Sequence, residues 1–273
     1  MHKIFETPGP TSLYVEVGPG EVRIEAADVA QTTVDVTGQD ADEVTVEQRG
    51  DQVTVVGPKS KFPFFGSSSD LLVRVTLPAD SEVTTRLGSA DLTATGRLGD
   101  CRLKSGSGEV QVEEIAGNAL VECGSGDIEI GVVHGSLRTK TGSGDVQVDR
   151  AHQSASVATG SGDVRIGTGH GDVQVKSASG DVEVREAHAD LVMSSASGDL
   201  RVDCFRRGSL QVKNASGDIT VGIPAGVPVW TDISSVSGTV SSTLDGAGQP
   251  QDGQDYIELR AKTVSGDVHL EQL

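Results

Sequence analysis

Ser125-Gly126-Asp127-Ile128-Glu129-Ile130, Ser143-Gly144-Asp145-Val146-Gln147-Val148 and Ser161-Gly162-Asp163-Val164-Arg165-Ile166 are one pattern, Ser-Gly-Asp-aliphatic-x-aliphatic, written three times 18 positions apart. The phrase begins at Ser107-Gly108-Glu109-Val110-Gln111-Val112 and runs on through Gly180 and Gly198. Gly217 continues it after a one-residue insertion, and Ala90 extends it backwards with alanine in the glycine's place. Self-similarity at a fixed short period is the signature of a stacked repeat.

Counting from the repeated glycine, positions +2 and +4 are aliphatic and alternate with polar residues, as in Val164 and Ile166 or Val182 and Val184. A second alternating run occupies −7, −5 and −3, for example Leu137, Thr139 and Thr141, or Val173, Val175 and Ser177. Period two is the period of a strand with one buried face. Each coil therefore reads as two short strands joined by a Gly/Ser corner that needs permissive backbone angles. Stacked coils pair each strand with its counterpart about 4.8 Å away and bury the shared inward stripe, which no coil buries alone.

The expected fold is all-β: a parallel β-solenoid of 18-residue coils with two main sheets. A left-handed triangular helix of three hexapeptides has the same period. It would put small or aliphatic residues at −10 and −4, where His152 and Lys140 stand. A right-handed β-helix is preferred, as parallel crossovers are overwhelmingly right-handed. The regular stack is expected over 83–221. Residues 1–82 read as a contiguous N-terminal β cap with antiparallel strands near Thr33–Val36, Val44–Val46, Val53–Val56 and Leu71–Leu77, and a hairpin turn at Gln48-Arg49-Gly50-Asp51. Leu13, Val15, Val17, Val22 and Ile24 match the motif once, as an early coil. Residues 222–273 read as an irregular C-terminal cap, with Trp230 a cap residue, followed by a last coil around Leu259–Leu270.

Serial Ser-Gly-Asp-Val-x-Val motifs, a leading Pro19-Gly20-Glu21-Val22-Arg23-Ile24, a mid-chain Val75-Thr76-Leu77-Pro78 and a closing Ser265-Gly266-Asp267-Val268-His269-Leu270 give the chain a family likeness. It resembles, over essentially its whole length, the bacterial putative-adhesin family of β-strand-repeat domains of unknown function. That resemblance implies the solenoid architecture and an adhesin-like binding role without a defined ligand.

The formal charge of −18 disfavours nucleic acid and an anionic membrane surface as partners and favours cationic partners or divalent metals. Met1 to Pro8 lack the basic start and apolar run of a secretory signal, and no stretch of about 18 apolar residues occurs, so a cytoplasmic protein is expected. Cys101, Cys123 and Cys204 show no CxxC spacing, and the first two fall on inward positions as small buried residues.

A repeat also turns sequence period into columns. Glu109, Asp127, Asp145, Asp163, Asp181, Asp199 and Asp218 stack at +1. Neighbouring carboxylates repel by about 0.9 kcal/mol even in water. Either each Asp accepts backbone N–H bonds at its own corner, or calcium sits between corners. His134, His152, His170 and His188 stack at −10, as a column of packed rings or as ligands for a transition metal. Lys104, Lys140, Lys176 and Lys213 stand in alternate coils at −4, with Glu122, Ala158 and Ser194 between them. Phe62, Phe64 and Phe65 concentrate three of five phenylalanines in one loop, as a lid on the stack or a contact for a partner.

No G-x-S-x-G, H-E-x-x-H or G-x-x-x-x-G-K motif occurs, and the uniform short turns show no obvious cleft of the kind that the alternative reading, a carbohydrate-active β-helix enzyme, requires. The leading expectation is a non-catalytic structural or protein-interaction scaffold without a required cofactor, whose solenoid ends offer strand edges to a partner or to another copy.

Overall fold

The computed structural model describes residues 1–58, 71–246 and 256–273, and they divide into two compact units, Met1–Gly135 and Ser136–Leu273. Each unit is two sheets wrapped around one inward-facing stripe.

In unit 1 the strands are β1 (His2–Glu6), β2 (Ser12–Val17), β3 (Glu21–Ala27), β4 (Gln31–Thr37), β5 (Thr45–Arg49), β6 (Gln52–Val56) and β7 (Leu72–Pro78). They are followed by β8 (Glu82–Leu87), β9 (Asp91–Leu98), β10 (Cys101–Ser105), β11 (Val110–Ile115), β12 (Ala119–Cys123) and β13 (Ile128–Val133). One sheet runs β1-β4-β7-β3-β9-β11-β13 and the other β5-β6-β2-β8-β10-β12. From β8 onward, strands 18 residues apart pair in parallel, as Val110 with Ile128 and Leu103 with Val121. Their aliphatic positions are fully buried, which is the stacked stripe the repeat requires.

The N-terminal segment is a coil, and it does not lie at the end. β2 and β3 stack in parallel on β8 and β9. The segments near Val53 and Leu71, expected to be antiparallel capping strands, instead form a further parallel coil: β6 pairs with β2 and β7 with β3. Their inward residues Val53, Val55, Val73 and Val75 continue the stripe of Leu13, Val15, Val22 and Ile24, so the same burial favours the same stacking. Antiparallel pairing begins only beyond them, with β4 on β7, β1 on β4 and the β5–β6 hairpin.

Unit 2 contains β14 (Leu137–Thr141), β15 (Val146–Ala151), β16 (Ala155–Thr159), β17 (Val164–Gly169), β18 (Val173–Ser177), β19 (Val182–Ala187) and β20 (Leu191–Ser194). It is completed by β21 (Leu200–Phe205), β22 (Gly208–Lys213), β23 (Ile219–Ile223), β24 (Val229–Ser237), β25 (Val240–Ser242), β26 (Ile257–Ser265) and β27 (Val268–Gln272). The orders are β15-β17-β19-β21-β23-β27-β25 and β14-β16-β18-β20-β22-β26-β24, with parallel pairing throughout. The last coil in sequence, β26 and β27, is therefore intercalated between the coil of β22 and β23 and that of β24 and β25. Trp230 lies on the outermost strand but faces outward beside Glu258, half exposed, with the Arg260 guanidinium 5.6 Å over its ring.

The repeated glycine is explained by close approach. A Cβ on Gly126 would lie 2.2 Å from the carbonyl oxygen of Gly108 one coil back. From Gly180 onward the corner changes from Gly-Ser-Gly to Ala-Ser-Gly or Val-Ser-Gly, and the remaining glycine takes a positive φ of 122° at Gly180 and 144° at Gly266. There only glycine adopts the angle without strain.

Candidate functional site

The acidic column is a hydrogen-bond ladder. In unit 2, Asp145 Oδ1 accepts the main-chain N–H of Asp163 (2.8 Å), Asp163 that of Asp181 (2.9 Å), Asp181 that of Asp199 (2.8 Å) and Asp199 that of Asp218 (2.8 Å). Asp218 then accepts from Asp267, and Asp267 from Thr239. Unit 1 repeats the arrangement where Asp91 accepts from Glu109. The accepted amide belongs to the next coil, not to the carboxylate's own corner. A short acidic residue at +1 thus adds a side-chain bond between coils at a corner where main-chain bonds, such as that from the Gly198 N–H to the Ser216 carbonyl, also cross. Arg165 sits beside two rungs, 3.1 Å from Asp163 and 3.9 Å from Asp145. Asp127, in unit 1, occupies the same +1 position, and its main-chain carbonyl accepts the N–H of Val110.

The histidine column is a stack of rings. The His152 and His170 centroids lie 5.1 Å apart with planes 17° apart, and His170 and His188 lie 5.0 Å apart at 35°. His134, in unit 1, shares a hydrogen bond with Glu114 at 2.9 Å. Parallel rings one coil apart present their nitrogens side by side, whereas a metal needs ligands converging on one point. Among the described residues no group of three or more His, Cys, Asp or Glu side chains converges in that way. His188 lies 3.3 Å from Glu186, whose carboxyl is held below its usual range, chiefly by its hydrogen bond to Arg206.

Elsewhere the columns behave as paired surfaces. Lys104 Nζ reaches Glu122 at 2.7 Å, the alternation read from the sequence. Cys101 and Cys123 are buried, and desolvation first, then the nearby Asp100, pushes the Cys101 thiol up to about 12. Phe62, Phe64 and Phe65 lie outside the described residues.

Sequence reasoning missed a shallow cleft of about 500 Å³ in unit 2, walled by Asp172, His188, Asp190, Arg207, Tyr256 and Glu258. The one-residue insertion near Arg206 and Arg207 builds it, turning through Gly208 at a φ of 99°. Its charged groups are largely engaged in holding the corner: Arg207 Nε donates to the His188 carbonyl and Asp190 accepts from Ser209.

The most distinctive surface is the C-terminal coil of unit 2. Val229, Thr231, Ile233 and Ser235 of β24 are in register with Ile257, Leu259, Ala261 and Thr263, and Val240 of β25 with Val268. All five partners are buried, while the outer set ranges from half-buried to exposed, Val240 being 46% exposed. Both strands end their sheets. Among the described residues, one coil thus leaves its inward stripe and two strand edges uncovered.

These features define a parallel β-solenoid built from tandem coils, with amide-capped acidic corners and an exposed terminal coil. The chain belongs to the Toastrack (DUF4097) family, whose model matches residues 11–203 and again 120–271. No curated protein is significantly similar to it. Among solved structures it is similar to one described as a putative lipid binding protein from Parabacteroides distasonis, with 19% identity, 80% of this chain and 93% of that chain covered, and a TM-score of 0.49. It is also similar to one described as a putative adhesin from Bacteroides fragilis, with 14% identity, 98% and 96% covered, and a TM-score of 0.39.

Proposed function

We propose that this protein is a non-catalytic interaction scaffold that binds a protein partner through the end of its solenoid. The observation that carries this reading is the uncovered coil of β24 and β25, whose inward residues are buried at the equivalent positions of β26 and β27. An exposed strand edge recruits another strand through main-chain hydrogen bonds, and the apolar stripe beside it adds burial. The charge of −18 fits a protein partner better than nucleic acid or an anionic bilayer. The reading requires no metal: the Asp rungs already accept amide hydrogens and the His rings already pack on one another. It is tested by placing a photo-crosslinking residue at Thr231 and irradiating native cells. A protein adduct that disappears when the same residue is moved to Glu25 in unit 1 is expected. Absence of any protein adduct at Thr231 removes the reading.

A further inference from the structure

Resting on that scaffold reading, we propose that the partner on the uncovered coil is a second copy of this chain, docked about a two-fold axis with β24 antiparallel to β24 of the copy. The argument begins with what the surface lacks. Among the described residues it presents the free edges of two sheets at once, with the inward residues Val229, Thr231, Ile233 and Val240 between them. A single added strand satisfies one edge and leaves the other edge and the stripe wet. The shape that covers both edges and the stripe together is another open solenoid coil.

In unit 1 the stack is closed by its own chain. Lys3 Nζ spans from one sheet to the Val46 carbonyl of the other at 2.6 Å, the N-terminal ammonium donates to the Val36 carbonyl, and Ala41, Val44 and Val46 are buried beneath. A head-to-tail contact would have to displace that lid, and being heterologous it does not close at two. The C-terminal coil of a second copy needs no displacement, and a two-fold contact closes at two.

Charge and strand geometry agree. Val229 to Ser242 carry one charged side chain, Asp232, in a chain of net charge −18, and Asp232 is on the outward face. This stretch therefore meets its own copy without the repulsion an acidic face would bring. A two-fold axis perpendicular to the stack makes facing strands antiparallel, and unit 1 shows such strands seated on parallel ones, β4 on β7 and β5 on β6. Pairing β24 with itself matches nine residues to nine, whereas pairing it with β25 would set nine against three.

The test is sedimentation equilibrium of the full chain from about 1 to about 100 µM, the range in which modest interfaces populate. A mass approaching twice 28.2 kDa is expected, with no larger species. Ile233→Lys with Val240→Lys should weaken association at least tenfold, while Val29→Lys on the surface of unit 1 should not. Because the double variant disturbs a coil, amide exchange of the unaltered protein provides a second reading: protection of 229–237 should rise with concentration and that of β1 should not. A monomer throughout, or protection of β24 independent of concentration, overturns the proposal; the latter means that the chain covers its own edge. A monomer that still forms a Thr231 adduct with a different protein in cells sinks the dimer and leaves the scaffold reading standing.

Discussion

Asp163 Oδ1 accepts the main-chain N–H of Asp181 at 2.9 Å, one coil further along, and Asp181 repeats the bond to Asp199. Each rung supplies an acceptor to an amide at a corner and places a negative charge near the next rung. Asparagine keeps the acceptor and loses the charge. Asp181→Asn should therefore unfold at the same or higher denaturant concentration than the parent, while Asp181→Ala should lose about 1 kcal/mol. Added salt should raise the melting temperature of the parent more than that of Asp181→Asn, because screening relieves the column's repulsion.

Gly126 and Gly50 separate two reasons for glycine. A Cβ at Gly126 would come within 2.2 Å of the Gly108 carbonyl oxygen, a main-chain atom fixed by the stack. Gly50 has open space around it and a φ of 62° in the β5–β6 turn. Gly126→Ala should cost about 1–3 kcal/mol or more, as overpacking does, and Gly50→Asn, a residue that tolerates that angle, should cost little. Urea denaturation of the two variants distinguishes steric exclusion from backbone preference.

The 18-residue coil was legible because every coil repeats the same inward positions, and Val110, Ile128, Val146, Val164 and Val182 are all buried. The order of the end coils was not. β2 lies beside β8 with Ser12 opposite Glu82, a separation of 70 residues, and its alternation is equally compatible with any neighbouring coil. The +1 acidic column was visible, but not that its bonds run between coils, since sequence spacing does not say where a side chain's acceptor points. Val229, Ile233 and Val240 look like inward residues of any other coil; their exposure depends on what stacks above them. The insertion at Arg206 and Arg207 appeared only as a break in phase, while the cleft also needs Tyr256 from a distant part of the chain.

Cys101 is predicted to make the protein alkali-sensitive. Its thiol is raised from an ordinary 9.0 to about 12, mainly by desolvation, so between those values the unfolded chain loses a proton that the folded chain keeps. Stability should fall as pH rises through this window, by about 1.4 kcal/mol per pH unit for that group. Cys101→Ala should flatten this slope. Native alkylation should reach half-buried Cys204 before buried Cys101 and Cys123, read by mass spectrometry of the modified peptides.

The stacked rings of His152 and His170 predict packing behaviour without metal dependence. With their planes 17° apart, the rings lie on one another and do not converge. His170→Phe should retain the melting temperature within a few degrees, and zinc or chelator should move neither protein. A zinc-dependent rise in the parent that His170→Phe abolishes would reassign the column as a metal site.

The intercalated C-terminus makes the neighbouring coil conditional on it. β24 pairs only with β26, and β25 only with β27, among the described residues. A chain ending at Leu244 therefore retains β24 and β25 in sequence but has removed the two strands on which they rest. Those segments could bind directly on β22 and β23, but Pro224 and Pro228 flank their approach and the inward residues Thr231 and Ser235 would replace Leu259 and Thr263 in the stripe. The truncated chain should consequently be cut by chymotrypsin at Trp230 under conditions in which the full chain resists, while the coils up to β21 remain protected. Equal resistance at Trp230 in both chains would show that β24 re-stacks on β22 without the last coil.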